Sequence, residues 1–199
     1  MSKFEPRSAD HVLDLVKRYP LACLVSMGAE GSQTSMVPLL ALTGPSGTID
    51  GFLGHLPLSS PHVSRLKSDP QALVLFQGPD AYISPHLVSK PHWGPTWNFT
   101  LAGFDVAVSF HVEETDHALR ALTAHMERDH EHPWTVEQMG ARYRELAAHV
   151  IAFRAEIKGQ NIRFKHGQDE TPAVFDEIIA GLNTHPLAEW MVRTVRGRD

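Results

Sequence analysis

The chain has 199 residues, 42% of them apolar and 21% charged, a composition that suits one globular domain with a sizeable core and argues against a fibre, a disordered tail or two full domains. A net charge of -5, with basic residues gathered only in the C-terminal RTVRGRD, disfavours direct nucleic-acid binding, and no apolar run reaches the ~18 residues of a membrane-spanning helix. The N-terminal MSKFEPRSAD lacks the apolar stretch of a secretory signal, so a cytoplasmic location is expected.

In chain order, Ser8 is placed to cap a short helix whose apolar face is Val12, Leu13, Leu15 and Val16, ending at Tyr19-Pro20. Strand-like strings follow: LACLVSM, TSMVPLLALT, GTIDGFLGHL, QALVLFQG, PDAYISP and FDVAVSFHVEE. Gly, Pro and Ser clusters separate them, as in antiparallel hairpins. About six strands without intervening helices predict a closed or nearly closed barrel. From Asp116 the period becomes helical, through Ala118, Leu119, Leu122 and Met126. Thr135 and Gln138 have capping-box spacing, with Trp134 placed to staple onto Met139 before a helix over ARYRELAAHV. IAFRAEIKG and IRFKHG return to strand character, and Thr171-Pro172 suits the start of a helix carrying Phe175, Ile178, Ile179 and Leu182. The expected organisation is one domain over 1–199, strand-rich at 20–113 and 149–166, with a helical insertion at 116–148 and C-terminal helices at 171–195.

The lone Cys23, inside an apolar strand, leaves no disulfide framework and no thiolate cluster. Among the 13 histidines none stands in a His-Glu-x-x-His pattern, and His125, His130 and His132 suit a polar connection between helices. In GHLPLSSPH, His55 and His62 flank a turn where Ser59 and Ser60 present hydroxyls and N–H groups. That turn suits an anion, or a helix start with Ser60 as N-cap and Pro61 at N1, and the two readings are compatible. In GPTWNFT, Trp97 and Asn98 follow a segment stiffened by prolines 85, 91 and 95. A core tryptophan beside a turn asparagine is one reading; a wall for a flat ring system is the other, with Lys165 and Gln168 as partner candidates, Lys165 reading equally as a solvated strand-end charge.

LFQGPDAYISP, PTWNF, MGARY, AFRAEI, FKHGQDE and GHLPLSSPH together resemble the bacterial PaiB-like family, labelled FMN-binding negative transcriptional regulators, over roughly residues 8 to 182. The resemblance implies a mainly β protein with peripheral helices, a six-stranded antiparallel FMN-binding split barrel that forms a homodimer around its flavin sites. It implies a pocket near His55, Ser59, Ser60, His62, Gln77, Thr96, Trp97, Asn98, Lys165 and Gln168, and a small-molecule ligand or substrate. FMN is the first cofactor expected, for an oxidoreductase-like protein. Some relatives use haem b to join two nitrogen atoms of a hydroxylated ornithine, as piperazate synthases do, and His55 or His62 would then be the axial ligand. A non-catalytic regulator stands as a third reading, although no helix-turn-helix string is present. Two departures from the family pattern stand out: TLAGFDVAVS replaces a Val-His-x-x-Gly segment, and KHGQ introduces His166, a titratable group that reads first as an exposed strand residue, with a ligand or a proton donor beside the pocket as the alternatives.

Overall fold

The computed structural model describes residues 3–45 and 47–196. Helix α1 (Ala9–Arg18) leads into strands β1 (Leu21–Gly28), β2 (Gly31–Pro38), β3 (Leu40–Thr43) and β4 (Ile49–Pro57). Helix α2 (Pro61–Ser68) precedes β5 (Gln71–Ile83) and β6 (Thr96–Phe110); α3 (Thr115–Glu127) and α4 (Ala141–Ala147) precede β7 (Val150–Lys165). Helices α5 (Pro172–Leu182) and α6 (Pro186–Arg196) close the described chain. No described helix is long and apolar enough to cross a membrane.

The mainly β, α+β class holds, but the strand count does not: seven strands form one sheet in the order β2-β1-β5-β6-β7-β4-β3, open between β2 and β3. TSMVPLLALT is two strands because Pro38 offers no N–H to continue the ladder, and the following Leu39 N–H turns to the Pro20 carbonyl. Elsewhere strings fuse. QALVLFQG and PDAYI are a single strand through Pro79, and the two strings after α4 are one strand of 16 residues. β6 begins at Thr96, so Trp97 and Asn98 are strand residues from the outset.

The chain divides into two compact units, the first holding residues 1–12, 77–102 and 161–199, the second 13–76 and 103–160. In the second unit, β1 pairs with β2 from Leu21↔Pro38 to Gly28↔Gly31, and β4 pairs with β7 from Gly51↔Glu156 to Pro57↔Val150. Its core centres on Phe52, Phe76 and Phe104, whose ring centroids lie 5.0 to 6.0 Å apart in tilted and edge-on contacts. Each such ring, fully buried, contributes ~1.5–3 kcal/mol. The packing leaves no room at Gly54, where a Cβ would lie 2.4 Å from Leu39 Cδ2 and 2.9 Å from Phe153. In the first unit, Ile83, Val174, Phe175, Ile178, Leu187 and Met191 form the apolar cluster.

Local end signals are mostly realised. Ser60 caps α2, its Oγ accepting the His62 N–H, with Pro61 first in the helix, and Thr171 caps α5 in the same way through Val174 N–H. Such a cap contributes about 1 kcal/mol. The capping box expected at Thr135 and Gln138 is not formed. The Thr135 hydroxyl goes instead to the Glu137 carboxylate, and Gly140, at φ 57°, ends a short 3-10 turn before α4 begins. That helix covers only Ala141–Ala147, because Val150 is already in β7.

Candidate functional site

Six of the expected residues belong to the first unit, and strand alternation sorts them. Successive side chains on β6 point to opposite faces, so Trp97 and Asn98 cannot share one wall. The indole is 55% exposed and pairs with Tyr82 of β5, itself 51% exposed, at 5.9 Å between centroids and 58° between planes. Asn98 is 1% exposed and turns inward. Its Nδ2 donates to Met191 Sδ at 3.7 Å, and its buried Oδ1 has no partner among the described residues. Thr96, on the same side as Asn98, accepts a hydrogen bond from the Lys165 ammonium.

Gln168 is spent locally, and Gln77 makes one local bond. Gln168 Oε1 accepts the His166 N–H at 2.7 Å and its Nε2 donates to the Phe164 carbonyl, closing the turn after β7 around Gly167 at φ 81°. Gln77 Nε2 donates to Asp80 Oδ2 at 3.0 Å.

His166, expected on an exposed strand, is completely buried. Its Nε2 lies 2.8 Å from Thr100 Oγ1 and its Nδ1 2.8 Å from Thr194 Oγ1. Thr100 gives its own proton to the Pro79 carbonyl at 3.3 Å, so it accepts from Nε2–H, and the bare Nδ1 accepts from Thr194. Burial, with His11 nearby, lowers the imidazole pKa to about 4, so the ring is neutral near pH 7. It ties β6, the end of β7 and α6 together.

The second unit holds His55, Ser59, Ser60 and His62. His55 stands opposite Ala152 on the β4–β7 ladder; its Nδ1 is buried without a described partner, and burial lowers its pKa. Ser59 is exposed, while Ser60 Oγ is occupied by the cap at 3.3 Å from His62 N. His62 is fully buried, its Nδ1 2.9 Å from Ser35 Oγ on β2 and its Nε2 without a described partner. Burial, then the Arg65 charge, lowers its pKa, so it too is a neutral base. Ser26 Oγ on β1 is likewise buried and unpartnered among the described residues, and the register places Ser26 two pairs along from Leu24↔Ser35, on the same sheet face as Ser35.

Sequence reasoning passed over Tyr82, Ser26 and Ser35. Alternation in PDAYI would have flagged Tyr82 as an outward ring; nothing local pairs Ser35 with a histidine 27 positions later. Among the described residues, no three His, Cys, Asp or Glu side chains gather to hold a metal.

A family model described as "Putative FMN-binding domain" matches residues 1–159. No curated protein matches the chain. Among solved structures, the FAD and haem binding protein from Mycobacterium smegmatis is similar at a TM-score of 0.61 and 17% identity, over 87% of this chain and 78% of that one. The flavocytochrome Anf3 from Azotobacter vinelandii is similar at 0.61 and 10%, over 79% and 67%. A conserved hypothetical protein from Mycobacterium tuberculosis is similar at 0.59 and 11%, over 86% and 92%. Likeness at these identities speaks for the fold.

Proposed function

The chain belongs to this FMN-binding family, and we propose that it is an oxidoreductase-like split-barrel flavoprotein whose isoalloxazine lies against Trp97. The observation that carries this is the outward indole, half-exposed and paired with Tyr82 on the neighbouring strand. Large aromatic rings left in solvent on a sheet face suit a planar ligand, which gains stacking and loses water. A bound flavin supplies the hydride and electron chemistry; the chain supplies placement and electrostatics.

A second reading, haem b in place of flavin, is favoured by one feature of the second unit. His62 is neutral, is held through Nδ1 by Ser35, and leaves Nε2 free, the arrangement of an imidazole oriented to ligate a metal. His55 is the alternative axial ligand. The absorbance spectrum of the purified protein, followed by separate titrations with FMN and haemin, tests both readings. A flavin spectrum with an FMN-saturable site supports the first. A Soret band abolished by His62→Ala supports the second, and one that survives both His62→Ala and His55→Ala removes the axial assignment. If neither cofactor binds, both readings fall.

The homodimer has a candidate face. On the outer side of β1 and β2, Leu21, Cys23, Val25 and Met27 stand opposite Pro38, Met36, Thr34 and Ser32, with Leu75 and Leu73 of β5 beside Cys23 and Val25. No charged side chain lies in this set, and Leu21, Met27 and Met36 are 56%, 68% and 59% exposed. An uncharged apolar sheet face is matched by another of the same kind, which a second copy provides. Light scattering should give twice the monomer mass for the natural chain, and Met27→Glu with Met36→Glu should give the monomer; a dimer that survives both changes places the contact elsewhere.

A further inference from the structure

The connection from Ser84 to Pro95 joins the strand that carries Tyr82 to the strand that carries Trp97. It is long for a hairpin, and it does not hang free. Ser84 Oγ accepts the His86 N–H at 3.2 Å and opens a 3-10 turn, whose Leu87 sits so close to Gly181 of α5 that a Cβ there would lie 2.6 Å from Leu87 Cδ2. Leu87, Val88 and Trp93 pack against the apolar cluster of this unit. Two carboxylates complete the attachment. Glu177 of α5 accepts from both the N–H and the hydroxyl of Ser89, the former at 2.8 Å. Glu170 accepts from Trp93 Nε1 with both oxygens at 3.2 Å.

We propose that this segment is a strap, latched by Glu177 and Glu170, that sets the positions of the Tyr82 and Trp97 rings at its two ends. Tyr82 and Trp97 lie two residues outside the strap at either end, so slack in it is felt directly at the ring pair. Glu177 and Glu170 are therefore positioning residues, acting on a bound ring only through Trp97 and Tyr82. The link to flavin rests on the reading of Trp97 given above; the link to ring geometry does not.

The latch needs acceptors in the right places rather than charge. A glutamine at 177 can accept from Ser89 N–H and donate to its hydroxyl oxygen, and a glutamine at 170 can accept from the indole, so amides should replace the carboxylates where alanine cannot. The test compares Glu170→Ala with Glu177→Ala, combined in the full chain, against the two Gln changes. In the alanine variant, amide hydrogen exchange over 86–93 should quicken about tenfold, and the near-ultraviolet circular dichroism contributed by Trp97, read by difference against Trp97→Phe in the same background, should fall by about half. FMN should dissociate about tenfold faster, and the Gln variant should match the natural chain in all three. Unchanged exchange overturns the latch, and faster exchange with an unchanged Trp97 signal overturns the positioning role. A Trp97 signal that responds in a chain that takes up no FMN leaves the strap standing and removes the flavin reading.

Discussion

Trp97→Ala should weaken FMN binding roughly tenfold to a hundredfold, the loss of one aromatic stacking partner, with little change in thermal stability. The two parts separate because the indole is more than half exposed and its ring contact is with Tyr82, itself at the surface. Substitutions at such positions usually move stability by less than about 0.5 kcal/mol. Trp97→Phe keeps a stacking face and should lose only part of the affinity. Quenching of flavin fluorescence gives the affinity and a thermal melt gives the control. An unaltered dissociation constant in the alanine variant would remove Trp97 from the cofactor wall and, with it, the basis of the flavin proposal.

The second large effect concerns His166 and acid stability. The folded-state pKa, about 4, lies below the ordinary 6.5, so on acidification the unfolded chain takes up the proton first. The stabilisation is therefore fully present above 6.5 and is lost as pH falls toward 4, on the order of 3 kcal/mol in all. Carboxylates such as Glu177, held below their usual range by the Ser89 hydroxyl and N–H, push stability the same way, so the natural chain alone does not isolate the histidine. His166→Gln does. At neutral pH the variant should be less stable by about 1–3 kcal/mol through imperfect bonds to Thr100 and Thr194. Toward pH 4 the gap between the chains should close and then reverse. Urea unfolding across that range measures it, and a gap independent of pH would show that the ring does not titrate as its burial requires.

The helix starts and most strand locations could be read directly from the sequence because their causes are local. Ser60-Pro61 and Thr171-Pro172 cap helices through bonds spanning two or three residues, and the apolar alternation of FDVAVSF is a property of seven consecutive positions. The flavin-binding family, too, is carried by contiguous strings such as LFQGPDAYISP and PTWNF. Local pattern fails where partners are distant. His166 looked exposed because its neighbours are polar, yet it is sealed by Thr100, 66 positions before it, and Thr194, 28 after it. Gln168 looked available until the fold placed its amide on the backbone of its own turn, and Trp97 and Asn98, adjacent in sequence, proved to face apart once the strand was seen to begin at Thr96. Short-range chemistry decides which elements form; whether a polar side chain is left for a ligand depends on which remote groups have already satisfied its hydrogen bonds, and those meet only when the chain is folded.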